Sequence, residues 1–100
     1  MRKFEADVDS GKYKENGWSS TNYGMSKLGL IAYTNMIARQ EAGNKIQVNS
    51  CCPGWCDTDM SSHKGPRPPA EGAKNAVILC NLPEDGPTGT YWADFKQATW

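Results

Sequence analysis

The sequence predicts an α/β protein in which a long helix, a strand, a loop, a second helix and a second strand follow one another. Three observations give this order. Apolar residues recur at three- and four-residue steps from about 22 to 42, a β-prone run covers 45–52, and a helix-then-strand pattern returns between 69 and 94. A strand, a helix and a strand in succession predict a right-handed crossover and a parallel strand pair.

The first 18 residues form a charged segment that we separate from residues 19–100. Phe4 and Val8 stand four positions apart, which favours a short amphipathic helix. The dipeptide Asn16-Gly17 is a turn signal. The long helix is therefore expected to begin only after this segment.

Residues that cap helices are concentrated just before the long helix, and Ser20 or Thr21 is the predicted cap. The helix is expected to run from Asn22 to Ala42 and to stop at Gly43-Asn44. Its apolar stripe needs a sheet to lie on, but the two strands that the sequence predicts cannot cover it. The apolar residues of this helix are Leu28, Ala32, Tyr33, Met36 and Ile37.

The run 45–52 is predicted to be a strand that ends sharply at Pro53-Gly54. The next twenty residues or so show no regular pattern, and a loop of that length is uncommon unless it is a lid, a binding loop or disordered. It follows the carboxyl end of a strand, which is the edge where open α/β sheets bind ligands. The loop is therefore a candidate binding loop.

The second helix is expected from Pro69 to Asn81, because Pro83 cannot continue it. Its predicted apolar face contains Ala73, Ala76, Val77, Leu79 and Cys80. The last strand is expected at 89–94. With only two strands predicted, the strand at 46–52 should present an open edge, although parallel sheets are ordinarily buried.

Tyr23 and Lys27 stand four residues apart at the start of the long helix, so they share one helix face with roughly 6 Å of axial rise between them. A cation close to a phenol lowers the pKa of that phenol toward the working pH. Such a group can exchange a proton with a carbonyl or a hydroxyl. A surface helix whose tyrosine and lysine merely touch is the alternative that these residues leave open.

Charge and hydropathy exclude several classes of function. The 11 basic and 11 acidic residues are interleaved and sum to zero, so no electrostatic footprint for nucleic acid or an anionic membrane exists. No apolar run approaches the roughly 20 residues of a membrane span. The amino terminus lacks the apolar core of a signal peptide.

The four cysteines predict reduced thiols in a cytoplasmic protein rather than a disulfide scaffold, because two of them are adjacent and the predicted elements need no staples. They are Cys51, Cys52, Cys56 and Cys80. The only histidine, His63, is expected to sit alone in a polar loop. A structural metal site, which normally needs four nitrogen or sulfur ligands, is therefore not expected.

The helix with Tyr23 and Lys27, followed at 51–60 by a strand end with the pattern Cys-Cys-Pro-Gly-Trp-x-x-Thr-Asp-Met, resembles the carboxyl-terminal part of a short-chain dehydrogenase/reductase of the carbonyl reductase branch. The charged segment 1–18 resembles an insertion ahead of the catalytic tyrosine of that branch. The resemblance implies a fragment of a Rossmann-like, doubly wound parallel sheet.

The resemblance also implies roles for matched residues. Tyr23 would donate a proton to the substrate carbonyl as hydride arrives, and Lys27 would activate that phenol and hold the nicotinamide ribose hydroxyls. Contacts with the nicotinamide end of the cofactor are implied for Pro53, Gly54 and Thr58. The substrate side of the pocket would be lined by Trp55 and Met60. The implied cofactor is NADPH, the implied substrate is a small ketone or aldehyde, and the implied full-length protein is a cytoplasmic monomer.

The chain departs from the family pattern ahead of the tyrosine. The ten glycines are scattered, so no Gly-rich turn is present to cradle a pyrophosphate. The serine and the asparagine that the family carries before its tyrosine have no match, because Ser19 and Ser20 adjoin the helix cap. The amino-terminal cofactor-binding half is thus expected to be absent and the chain alone inactive. The alternative is a non-enzymatic remnant or interaction module whose aromatic residues are contact anchors.

Overall fold

Three helices and three strands are found in residues 1–18 and 21–100, which a computed structural model of the protein describes. The helices are α1 (Arg2–Asp9), α2 (Asn22–Gln40) and α3 (Pro69–Cys80). The strands are β1 (Ser50–Cys52), β2 (Tyr91–Ala93) and β3 (Lys96–Ala98). The chain divides into two units, Met1–Tyr33 and Thr34–Trp100. The predicted boundary at residue 18 stays a prediction.

Helix α1 confirms the short amphipathic helix predicted from Phe4 and Val8, although only Phe4 packs. The ring centroids of Phe4 and Trp18 lie 5.4 Å apart in an edge-to-face arrangement. The Trp18 indole Nε1–H donates to Asp7 Oδ2 at 2.7 Å. Val8 is exposed. One aromatic contact and one hydrogen bond thus hold α1 against Trp18.

The Asp7–Trp18 hydrogen bond should make this fastening sensitive to acid. Hydrogen bonds from Trp18 and then Asn16 lower the pKa of Asp7. Because the folded pKa lies below the unfolded value of about 3.9, the stabilisation is present above about pH 4 and is lost as pH falls through the lower, folded value. The chemical shift of the Trp18 indole N–H, followed by NMR, should report this loss. Asp7→Asn should remove the titration, and an identical pH profile in that variant would contradict the assignment.

Helix α2 begins at Asn22 as predicted and ends at Gln40, two residues before the predicted end. Leu28, Tyr33 and Met36 of its apolar stripe are exposed, as expected if the predicted strands cannot cover that stripe. The apolar side chains that α2 does bury are Met25 and Ala38. No helix in the described part of the chain is long and apolar enough to cross a membrane.

The sheet has the strand order β1-β2-β3. β1 and β2 are parallel, with Ser50 opposite Tyr91, which confirms the parallel pair predicted from the strand–helix–strand order. β2 and β3 are antiparallel. Among the described residues β1 has no second neighbour, so the predicted open edge is present. The third strand was not predicted.

The predicted strand 45–52 is regular only at its end, because its partner segment cannot supply a full set of backbone bonds. Pro87 has no N–H. Backbone bonds join Gly89 to Val48 and Ser50 to Thr90. Side chains add further bonds: the Val48 N–H donates to Thr88 Oγ1 at 3.0 Å, and the Asn49 side-chain amide donates to the Pro87 carbonyl at 3.0 Å. Asn49 Oδ1 accepts from the Thr90 N–H at 3.0 Å. The register of the parallel pair is thus set by specific side chains.

Asp94 and Phe95 form a two-residue turn between β2 and β3, so the predicted strand at 89–94 ends early. Both residues have left-handed backbone angles, with φ of 50° and 66°. This is the sign required for the tight turn that suits the twist of a hairpin. Asn-Gly is the usual signal for such a turn. The Asp-Phe dipeptide gives no such signal, which explains why β3 was missed.

Helix α3 begins at Pro69, as predicted, and ends at Cys80. Most of the apolar residues that predicted this helix are exposed, namely Ala73, Ala76, Val77 and Cys80. The buried positions of α3 are Gly72 and Asn75. The buried Asn75 side chain is hydrogen-bonded on both sides: Nδ2 donates to the Gly72 carbonyl and Oδ1 accepts from the Phe95 N–H.

Candidate active site

The first turn of α2 is capped by Thr21. The Gly24 N–H donates to Thr21 Oγ1 at 3.1 Å, and the Met25 N–H donates to the Thr21 carbonyl at 3.1 Å. This confirms Thr21 as a capping residue, whereas Ser20 lies outside the described residues. Met25 is buried and anchors the turn. The cap and the anchor together fix the direction of the helix start.

Tyr23 and Lys27 come together on this helix start, as the four-residue spacing predicted. The Lys27 Nζ lies 5.4 Å from the centroid of the Tyr23 ring, within the range of a cation–π contact. Tyr23 is 60% exposed, so a ligand can reach the ring. The Ser26 hydroxyl donates to the Tyr23 carbonyl at 2.7 Å. The result is an accessible phenol ring beside the amine of a lysine.

In the carboxyl-terminal unit, Pro53 and Gly54 follow β1 directly. Gly54 has a φ of +87°, a conformation that side chains rarely adopt. A Cβ at this position would also overlap the guanidinium of Arg67. Gly54 is therefore required both by its backbone angle and by its neighbour. Its backbone can approach a ligand closely because no side chain intervenes.

The predicted irregular loop closes on itself at its neck. The Arg67 N–H donates to the Trp55 carbonyl at 3.2 Å, and the Asp57 N–H donates to the Arg67 carbonyl at 2.8 Å. Gly65 is buried beside Cys56, where a Cβ would overlap the Cys56 carbonyl. The loop is a small closed unit of the kind that often carries function.

The remaining predicted site residues lie within this loop. Thr58 precedes a 3₁₀ turn (Asp59–Ser61), where its N–H donates to Ser61 Oγ at 3.1 Å and its carbonyl accepts from the His63 N–H at 2.9 Å. Thr58 therefore shapes the loop through its backbone. Trp55 and Met60 are largely exposed, at 63% and 79%. Both present apolar surface to solvent.

Arg67, to which the sequence pattern assigned no role, contacts the Pro53-Gly54 segment. Its Nη1 donates to the Pro53 carbonyl at 2.8 Å, and its Nη2 pairs with Asp94 Oδ1 at 2.7 Å. Its Cζ lies 5.4 Å from the centroid of the Phe95 ring. The hydrogen bond with Asp94 raises the pKa of Arg67, so the guanidinium stays charged. The sequence feature that could have pointed to Arg67 is its position between Pro66 and Pro68, as a cationic residue at the end of the predicted loop.

His63 does not sit alone, and that expectation was wrong. Its Nδ1 lies 2.7 Å from Asp57 Oδ1, and its Nε2 lies 3.0 Å from Asp59 Oδ1. All three side chains are exposed. Within the described ranges 1–18 and 21–100, no group of three His, Cys, Asp or Glu side chains is arranged to hold a metal ion.

Cys51 is poorly suited to nucleophilic chemistry. Burial, and then the neighbouring thiols Cys52 and Cys80, raise the pKa of the Cys51 thiol. The reactive form of a cysteine is the thiolate. The Cys51 thiol therefore stays protonated near neutral pH, and the Tyr–Lys pair is the better candidate for proton transfer.

A parallel strand pair joined through a helix, with a closed loop at the carboxyl end of the first strand, defines a protein of the Rossmann-like α/β class. A family model described as short chain dehydrogenase matches residues 7–68, and the chain belongs to this family. This confirms the resemblance on which the predicted roles were based.

Two carbonyl reductases illustrate the likeness. The chain is 42% identical to carbonyl reductase (NADPH) 1 of Sus scrofa over an alignment that is 106 positions long. The alignment covers 100% of this chain and 37% of the pig protein. It is 39% identical to the Homo sapiens protein of that name, of which it covers 38%. The chain thus spans less than half the length of these relatives.

A solved structure supports the same fold. Salutaridine reductase from Papaver somniferum matches with a TM-score of 0.71 and 36% sequence identity, over 89% of this chain and 30% of that protein. The likeness confirms the predicted Rossmann-like α/β class.

Proposed function

We propose that this chain supplies the proton-donating part of an NADPH-dependent carbonyl reductase that reduces a ketone or an aldehyde to an alcohol. The observation that carries the proposal is the exposed Tyr23 phenol with the Lys27 ammonium 5.4 Å from its ring centroid, in a chain of the short-chain dehydrogenase family. The names of the pig and human relatives support the cofactor and the substrate class.

In this proposal Tyr23 is the general acid. Its hydroxyl donates the proton to the carbonyl oxygen of the substrate, and the Lys27 ammonium stabilises the negative charge left on the phenol oxygen. Bound NADPH would supply the hydride. The helix cap at Thr21 keeps the tyrosine and the lysine on the first turns of α2, where their spacing is fixed by the helix.

The residues present fit a nicotinamide cofactor in two respects. Lys27 is exposed and carries three donors for ribose hydroxyls. Gly54 has no side chain and a left-handed φ of +87°, so the segment Pro53-Gly54 can lie directly against a flat ring. Thr58 belongs to the same loop and is half-buried. Trp55 and Met60 offer exposed apolar surface for the substrate.

The proposal extends to the setting of the complete enzyme. On the resemblance to carbonyl reductases we place it in the cytoplasm as a monomer when it is full length. The chain alone is expected to be inactive, because its sequence lacks the Gly-rich turn that binds a pyrophosphate.

A chimera tests the function. Residues 1–100 replace the matching segment of pig carbonyl reductase (NADPH) 1, which is 37% of that protein. The chimera should oxidise NADPH when aldehydes or ketones are added, and Lys27→Ala should reduce both turnover and NADPH affinity.

Residues 1–100 alone should neither reduce a carbonyl nor bind NADPH, since binding must offset several kcal/mol of lost translational and rotational freedom. Micromolar NADPH binding by the isolated chain would contradict the second expectation.

The alternative function is a non-enzymatic interaction module. The exposure of Trp55, Met60 and Trp100 favours it, because aromatic and methionine side chains are enriched at protein interfaces. A folded chimera that binds NADPH but reduces no carbonyl would favour this reading over the enzyme.

A further inference from the structure

We propose that Arg67 is a positioning residue whose guanidinium holds the Pro53-Gly54 segment in the orientation that the cofactor needs. The inference rests on the proposed function, in which that segment contacts the nicotinamide end of NADPH. It concerns a residue to which neither the loop pattern nor the family resemblance assigned a role.

The guanidinium of Arg67 joins two parts of the chain that are distant in sequence. One arm, Nη1, donates to the Pro53 carbonyl at 2.8 Å, while Nη2 binds the Asp94 carboxylate at 2.7 Å. The Arg67 side chain is only 22% exposed, whereas that of Asp94 is 71% exposed. A planar guanidinium with donors in a fixed fork sets the angle between its two partners, which a lysine cannot do.

The Asp94 end of this contact is firmly held. The Phe95 N–H in the same turn donates at 2.9 Å to Asn75 Oδ1, and Asn75 is only 1% exposed. The Phe95 ring lies beneath the guanidinium, with its centroid 5.4 Å from Arg67 Cζ. Asn75 thus fixes the turn, and the turn fixes the guanidinium.

The Pro53 end is the part that the guanidinium directs. The Pro53 carbonyl and the Gly54 N–H belong to one planar peptide unit, so an anchor on the carbonyl oxygen also sets the direction of the N–H. The guanidinium fills the space that a Cβ on Gly54 would need. A side chain at position 54 would therefore displace the guanidinium from its present place.

Loss of the guanidinium should leave the loop folded. The neck bonds to Trp55 and Asp57 use the backbone of Arg67 and survive any substitution of its side chain, proline excepted. What is lost is the anchor on the Pro53 peptide. The expected defect is therefore in cofactor affinity rather than in folding.

The test compares Arg67→Met, Arg67→Lys and Lys64→Met in the chimera. Arg67→Met should raise KM for NADPH about ten- to hundredfold, the range expected for one charge-assisted hydrogen bond, with a smaller change in kcat and a melting temperature close to the parent's. Arg67→Lys should restore part of the affinity. Lys64→Met removes a charge from the same loop and should change KM little, since no described ion pair involves Lys64.

A KM for NADPH within twofold of the parent's in Arg67→Met would overturn the inference. A rise in KM that is accompanied by a large fall in kcat and in the melting temperature would also overturn it. A parent chimera without NADPH turnover would instead sink the proposed function. In that case amide hydrogen exchange tests the role of Arg67 without any activity measurement. Faster exchange of the Gly54 and Trp55 amides in Arg67→Met would support the inference, and unchanged exchange would overturn it.

Discussion

Tyr23→Phe should lower turnover of the chimera by about 10²–10⁴-fold, the contribution of a positioned general acid. The substitution removes only the hydroxyl, while the ring that faces Lys27 Nζ at 5.4 Å remains. NADPH affinity should therefore change much less than kcat. Steady-state kinetics with one aldehyde, together with NADPH titration, separate the two effects.

Tyr33→Phe is the matched control for this experiment. Tyr33 lies on the same helix and is 55% exposed, close to the 60% of Tyr23. Loss of its hydroxyl should leave turnover unchanged, since the proposal gives it no part in the reaction. Near-parental turnover in Tyr23→Phe, or an equal loss in both variants, would show that Tyr23 is not the proton donor.

Asn75→Ala should lower the free energy of unfolding of the chimera by about 2–4 kcal/mol. The change leaves the part-buried Phe95 N–H without its acceptor and empties the volume of the buried side-chain amide. Urea denaturation followed by circular dichroism should show the lower midpoint.

Asn81→Ala controls for the loss of an asparagine and changes the residue that directly follows α3. Asn81 is exposed and donates from Nδ2 to the Val77 carbonyl at 2.8 Å, so it makes a side-chain bond of similar length without burial. Its loss should cost no more than about 0.5 kcal/mol. Equal midpoints for the two alanine variants would mean that the buried bond to Phe95 contributes little.

Features that depend on neighbours in the sequence could be predicted. The cap at Thr21, the shared helix face of Tyr23 and Lys27, and the strand end at Pro53 each follow from a few adjacent residues. The parallel pairing of β1 and β2 followed from the order of the elements, because a helix between two strands leaves little choice of direction.

Features that depend on distant residues could not be predicted. Arg67 binds Asp94 across 27 positions, and no local pattern encodes that pairing. Asn75 was passed over because apolar periodicity assigns helix faces, whereas its burial depends on a hydrogen bond to Phe95, 20 residues away. The hairpin was missed because Asp94-Phe95 adopts left-handed angles without glycine.

The side-chain bonds that align Asn49 with Thr90 also bear on the order in which the chain folds. These residues are 41 positions apart, and the entropy of closing a loop rises with its length. The β2–β3 hairpin closes across only two residues, and isolated hairpins form within about 1–10 μs. The hairpin can therefore exist before β1 arrives. The folding rate of the unit Thr34–Trp100 should then be limited by a late step, in which Asn49 docks on Thr90 and β1 pairs with β2.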